Sequence, residues 1–166
     1  METATLAGGC FWCTEAIFKR LKGVEKVTSG YANAAESIQI RFDPKIISYE
    51  RILEIFWHLI DPTTLNKQGA DVGEQYRSVI FYHDENQKRI AEESKKNADK
   101  SGMYKDPIVT QIVPYSNFYK AEEYHQNYYE RNSHQPYCQL IINPKIDKLI
   151  REFGELVDQN PHRQKL

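Results

Sequence analysis

Apolar residues recur along this chain in short blocks whose period switches between two and about 3.6. Thr3–Ala7 reads as a strand running into Gly8-Gly9. Phe11, Ala16, Ile17, Phe18 and Leu21 then fit the inner face of a helix that stops near Gly23. Val24–Gly30 is read as a strand. Ile38, Ile40 and Phe42 alternate with Gln39, Arg41 and Asp43, which predicts a strand with one buried face, ended by Asp43-Pro44. Only a few residues, around Ala32-Asn33-Ala34, separate these two strands, so an antiparallel hairpin is expected. Ser48 can cap a helix with Ile52, Ile55, Phe56 and Leu59 inside, stopped at Asp61-Pro62. The polar stretch TTLNKQGADVGEQ follows, long enough to mark a functional or mobile loop. Arg77–His83 reads as a strand, and Asp84 caps a charged helix to about Lys100. Ile108–Val113 is a further strand ending at Pro114. Asn117–Arg131 holds Phe118, Tyr124 and Tyr128 at helical spacing, and Ile146–Leu156 is a last helix set off by Pro144.

Strands and helices alternate with at least one hairpin, which predicts a mixed sheet in a two-layer α+β fold. No repeat, low-complexity segment or linker interrupts the pattern. The 166 residues are therefore expected to form one domain, 1–166, with a flexible tail from about residue 158. The formal charge of −1 gives nothing to steer the protein to nucleic acid or an anionic membrane. No apolar run reaches the length of a membrane span. The start METATLAGGC has neither the basic flank nor the apolar stretch of a signal peptide, so a cytoplasmic protein is expected. No interface signature is visible, and a monomer is expected. Three cysteines, an odd number, argue against a disulfide framework and for reactive or metal-binding thiols in a reducing compartment.

Two of these cysteines stand in GGCFWCTE, residues 8–15. A strand, two glycines and then Cys10 at the mouth of a helix make a good place for a reactive thiol. The first helical N–H groups are unsatisfied and the dipole favours negative charge there, which lowers a thiol pKa from about 8.5. Phe11 and Trp12 could form an apolar pocket, or they could be core residues beside an inert buried thiol. Three readings of Cys10-x-x-Cys13 compete on the residues alone. One is a dithiol of thioredoxin type. Another is a zinc module completed by Cys138 and His125. In the third, Cys10 is a single nucleophile that another cysteine resolves.

Three further stretches bear on the choice: DPTTLNKQGADVGEQYRSVIFY (61–82), NFYKAEEYHQNYY (117–129) and QPYCQ (135–139). With GGCFW, they make this chain resemble the A-class peptide methionine sulfoxide reductases from about Ala4 to Phe153. The resemblance implies a two-layer α+β sandwich with a mixed sheet, a ferredoxin-like core and flanking helices. It implies thiol-dependent reduction of methionine S-sulfoxide, free or in proteins, without a cofactor and with thioredoxin as reductant. Cys10 matches the nucleophile, which becomes a sulfenic acid and is resolved as a disulfide. Glu36, in AAESIQIRFDP, matches the acid that protonates the sulfoxide oxygen, and an acid among apolar rings has a raised pKa that suits the task. Tyr76 matches a hydroxyl donor to that oxygen, and Asp71 an aspartate lining the same site. Phe11 and Trp12 match the rings that hold the substrate methyl group. His125 and Glu123 lie on the aromatic segment that borders the site, where a structural hydrogen-bonding role is at least as good a reading as a direct one.

The chain departs from the family pattern at two places. The family has a longer loop before the acid, carrying a second tyrosine that shares the sulfoxide oxygen. Here GYANAAES crosses directly and that tyrosine has no counterpart. One lost donor to a developing charge costs about 2.7–4 kcal/mol. A degenerate relative that binds oxidised methionine but turns over poorly is therefore the alternative, beside the zinc module. The second departure is Cys13, where many members have glycine. Cys138 lies where the family often carries a resolving cysteine on a flexible segment, and it is favoured over Cys13 for that role.

Overall fold

The computed structural model of the chain describes residues 1–158. The expected flexible tail lies outside the described residues, apart from its first position. The first strand, β1 (Glu2–Ala7), leads into helix α1 (Phe11–Phe18), then β2 (Val24–Ala32), β3 (Ala35–Phe42) and helix α2 (Tyr49–Leu59). A two-residue pair, β4 (Lys67–Gln68) and β5 (Asp71–Val72), precedes β6 (Val79–Tyr82) and helix α3 (Glu85–Lys100). Strands β7 (Gln111–Pro114) and β8 (Tyr119–Lys120) and helices α4 (Tyr128–Asn132) and α5 (Asn143–Phe153) complete the fold. The main sheet runs β7-β6-β1-β3-β2-β8, and only β6–β7 is parallel among its pairings. Its middle four strands, with α1 and α2 between them in the chain, form the β-α-β-β-α-β unit of a ferredoxin-like core. The expected mixed-sheet α+β architecture is what the chain adopts.

The periodicities explain most of this. Ile38, Ile40 and Phe42 of β3 are fully buried in one core with Ile52, Leu53, Ile55 and Phe56 of α2. Gln39 and Arg41 point to the other face. Ser48 accepts the Arg51 N–H at 3.1 Å to start α2, and Asp84 accepts the Gln87 N–H at 2.8 Å to start α3. The β2–β3 hairpin closes through Asn33 and Ala34 alone, with φ of 49° and 63°. Two central residues at positive φ are the signature of the type I′ turn, whose twist matches that of the strands.

Two expectations are corrected. Asn117–Arg131 is not one helix: it breaks into β8, a 3₁₀ turn (Glu123–His125), a left-handed Asn127 and the short α4. The buried Gln126 amide accepts from Ser29 N and donates to Ser29 O and Ala121 O, so the segment is tied to β2 as an extra strand would be. Those tertiary bonds outweigh the helical spacing of the rings. The strand expected over Ile108–Val113 starts only at Gln111, because Val109 N–H is used by Pro62 O and Thr110 by the Ser78 hydroxyl. The polar 63–75 stretch, expected as a functional or mobile loop, is ordered by Gln68, whose side chain accepts from Asp61 N at 2.6 Å and donates to Asp61 O at 2.9 Å.

Candidate active site

Cys10 is the N-cap of α1, in extended conformation, with Cys13 N–H already donating to its carbonyl at 3.0 Å. The turn into it depends on Gly9. At φ +85° a side chain is strained, and a Cβ would lie 2.6 Å from the Gln68 side chain. The polar loop thus packs directly under the approach to Cys10.

Glu36 sits two residues past the hairpin turn, opposite Tyr31 on β2. Its Oε1 accepts the Phe11 N–H at 3.2 Å and its Oε2 the Gln75 side-chain amide at 3.4 Å. The carboxyl therefore faces the amide that follows Cys10. Burial raises its pKa, the two hydrogen bonds oppose that rise, and the Asp71 charge adds to it. Tyr76, at the end of a 3₁₀ turn (Glu74–Tyr76), is raised first by burial and then by charge on Glu36, Asp71 and Cys10. Those four groups thus share one field.

Trp12 is half-buried and stacked on Tyr128, ring centroids 3.7 Å apart and 6° from parallel. Tyr137 meets its edge at 5.7 Å. The Trp12 indole N–H donates to His125 Nδ1 at 3.0 Å, which assigns the His125 proton to Nε2, facing Glu122. Phe11 is almost fully buried, against His125 and Tyr31. Trp12 is the more exposed of the two rings, and Phe11 packs against the His125 that accepts from the Trp12 indole.

All three cysteines are free, buried and in one apolar cluster with Trp12, Tyr76, Tyr128 and Tyr137. Interaction between the neighbouring Cys10 and Cys13 thiols lowers the Cys13 thiol to about 7 and is the largest cause holding the Cys10 thiol up, followed by burial. The pair sheds a first proton readily and retains the second between its sulfurs. The Trp12 N–H draws charge toward Cys10, while Lys145 and the Tyr137 hydroxyl draw it toward Cys13. The simple expectation of a thiolate lowered by the helix start alone is thus corrected: Cys13 dominates. Cys138 is fully buried in a π-helical turn (Cys138–Ile142) before α5 and not on a mobile tail.

No group of three or more His, Cys, Asp or Glu side chains able to hold a metal occurs among the described residues. His125 does not join the cysteines, since its Nδ1 is taken by Trp12. The zinc module is not favoured by this arrangement. The sequence reasoning missed Tyr137, Tyr128 and Gln75 as members of the site. Tyr137 stands beside Cys138 in QPYCQ, but nothing in spacing tells that its hydroxyl reaches Cys13 (3.6 Å) and Asp71 (2.8 Å).

A sequence model of the family described as peptide methionine sulfoxide reductase matches residues 2–35 and 32–156. The chain belongs to the peptide methionine sulfoxide reductase family. A peptide methionine sulfoxide reductase MsrA of Sulfolobus acidocaldarius is 48% identical over 172 residues, covering 93% of this chain and 97% of that relative. The reduced form of Mxr1 from Saccharomyces cerevisiae superposes with a TM-score of 0.78 at 32% identity, over 82% of this chain and 88% of that one. A structure of Mxr1 in complex with Trx2 matches at 0.57 and 29% identity, over 76% and 84%. The two matched stretches overlap at residues 32–35, where the tight β2–β3 turn lies. No helix among the described residues is long and apolar enough to cross a membrane.

Proposed function

We propose that this protein reduces methionine S-sulfoxide, free or in polypeptides, in one domain, and is returned to its thiol form by a thioredoxin. The observation that carries the reading is the Glu36 carboxyl held at 3.2 Å from the amide following Cys10, with Trp12, stacked on Tyr128, packed against the cluster that holds Cys10. The Cys10 thiolate attacks the sulfoxide sulfur. Glu36, whose pKa burial raises, gives its proton to the oxygen. A bond forms between Cys10 Sγ and the substrate sulfur as the protonated oxygen leaves as hydroxide. The hydroxide then adds to Cys10 Sγ, the S–S bond breaks with its electron pair going to the substrate, and methionine departs from a Cys10 sulfenic acid. Trp12 takes the methyl group, Tyr76 donates to the oxygen, and His125 fixes the indole. We take Cys13, rather than Cys138, as the thiol that resolves the sulfenic acid. Its place in the first turn of α1, capped by Cys10 and in the same apolar cluster, supports this, as does the complete burial of Cys138. The Mxr1–Trx2 complex supports a thioredoxin as reductant. Three free thiols suit a cytoplasmic setting.

The test is one turnover on methionine S-sulfoxide without reductant. About one methionine per chain is expected from the wild type and none from Cys10→Ser. Methionine from Cys10→Ser would overturn the assignment. Family membership favours this reading over a binding-only relative.

A further inference from the structure

The two thiols are reached by a groove that neither Glu36, Tyr76 nor Trp12 lines. It runs between the Asp61–Asp71 loop and the start of α5, encloses about 560 Å³ and has Cys10, Cys13, Tyr137, Asp71, Lys145 and Lys148 in its walls. Within it the Tyr137 hydroxyl donates to Asp71 Oδ2 at 2.8 Å. Cys13 Sγ lies 3.6 Å from the Tyr137 oxygen, and either atom can donate in that contact. With the phenol proton directed to Asp71 the oxygen can accept from the thiol, and once the thiolate forms the phenol can donate to it. Thiol, phenol and carboxylate thus form a relay chain along which a proton can leave Cys13. The half-buried Lys145 stands in the same wall and draws negative charge onto Cys13. The sulfoxide chemistry on the Glu36 side uses neither Tyr137 nor Lys145.

Resting on the reading above, we propose that Tyr137 is a catalytic residue of the second step. It passes the Cys13 proton to Asp71, and Lys145 is a positioning residue that holds the resulting thiolate. The Cys13 thiolate attacks the sulfur of the Cys10 sulfenic acid. The Cys10–Cys13 S–S bond forms as the S–O bond breaks, and the departing hydroxide regains the proton removed from Cys13 and leaves as water. The sulfenic acid is the oxidant, supplied by the first step, so no other reactant is needed. Asp71 thereby serves disulfide formation and not the sulfoxide oxygen.

Rapid-quench single turnover on methionine S-sulfoxide, without reductant, tests this. Methionine is measured by chromatography, and sulfenic acid and disulfides by trapping and mass spectrometry in the same samples. Tyr137→Phe keeps the ring against Trp12. It is expected to slow disulfide formation by about tenfold or more relative to methionine release, so that trapped sulfenic acid accumulates. Lys145→Met is expected to slow the same step by a few-fold, and Lys145→Arg to restore it. Disulfide formation in both Tyr137→Phe and Lys145→Met as fast as in the wild type, with methionine released, overturns the relay. A first disulfide between Cys10 and Cys138 overturns it too, while leaving the reductase reading intact. Absence of methionine from the wild type would instead remove the reading on which the relay rests.

Discussion

Glu15 should make the protein less stable as pH rises through neutrality. It is a charged residue type on the buried side of α1, 1% exposed. Its Oε2 accepts the Asn127 N–H at 3.1 Å, and its Oε1 has no partner among the described residues. Burial is the largest cause raising its pKa, from 4.5 to about 7, against the pull of the Asn127 N–H and Lys19. The folded pKa lies above the unfolded one, so the associated stability is fully present below about pH 4.5. It is lost as pH rises to about 7 and beyond. A shift of this size corresponds to roughly 3 kcal/mol. Glu15→Gln keeps the shape and a carbonyl oxygen for Asn127 but cannot ionise. Urea unfolding of both proteins between pH 4.5 and 8.5 reads the difference. The variant is expected to gain on the wild type as pH rises, by roughly 3 kcal/mol at the alkaline end. A difference that stays flat over that range would refute the reasoning. The site is coupled to this residue, because Asn127 precedes the Tyr128 that stacks on Trp12.

Gly9→Ala is expected to lower the melting temperature and to cost activity, since strain at φ +85° of about 1–2 kcal/mol adds to a Cβ 2.6 Å from Gln68; thermal unfolding and turnover measure both. Because burial raises the Glu36 pKa, its acid form persists above the usual carboxylate range. The single-turnover rate should then fall as pH climbs through that raised value, and Glu36→Gln should lower the rate by about a hundredfold or more and abolish that limb. Trp12→Phe removes the indole N–H that His125 Nδ1 accepts and shrinks the stack on Tyr128; a rise in KM larger than the fall in kcat is expected from steady-state kinetics.

Where one residue's pattern reports one element, the sequence was readable. Alternation at Ile38–Phe42 gave β3, and Ser48 and Asp84 announced the starts of α2 and α3, because caps and periods are local physics. Reading failed where a side chain replaces backbone pairing. Gln126 and Gln68 each make three amide hydrogen bonds to carbonyls and N–H groups, and neither advertises this in its neighbours. Cys10 could be marked as reactive from its place after Gly8-Gly9. Its dependence on Cys13 could be seen as a possibility but not as the dominant influence. Glu36 reads locally as an ordinary hairpin residue; only the resemblance, and then the 3.2 Å contact to Phe11 N, separates it from the other acids. Tyr137 and Asp71 are 66 residues apart, and only the fold brings them together.

The tight β2–β3 hairpin is fastened to the segment that carries Tyr76. Gln75 and Arg77 flank Tyr76 in sequence and both reach across to the hairpin: Gln75 to Glu36, and Arg77 to the Asn33 carbonyl at 2.5 Å. The 3₁₀ turn that carries Tyr76 and the turn that places Glu36 are therefore fastened to each other. The weak member is Ala34, a residue with a Cβ held at φ +63° where type I′ geometry prefers glycine. Left-handed backbone costs an alanine about 1–2 kcal/mol, and glycine's extra unfolded-state entropy returns about 0.5–1 kcal/mol of any relief. Ala34→Gly should then stabilise the protein by about 0.5–1 kcal/mol, visible as a higher urea midpoint at unchanged slope. Ala34 is exposed, so no packing is lost to confuse the result. A destabilised Ala34→Gly would mean that the turn's strain is relieved elsewhere in the hairpin, and that Arg77 fixes the turn more strongly than its backbone preference does.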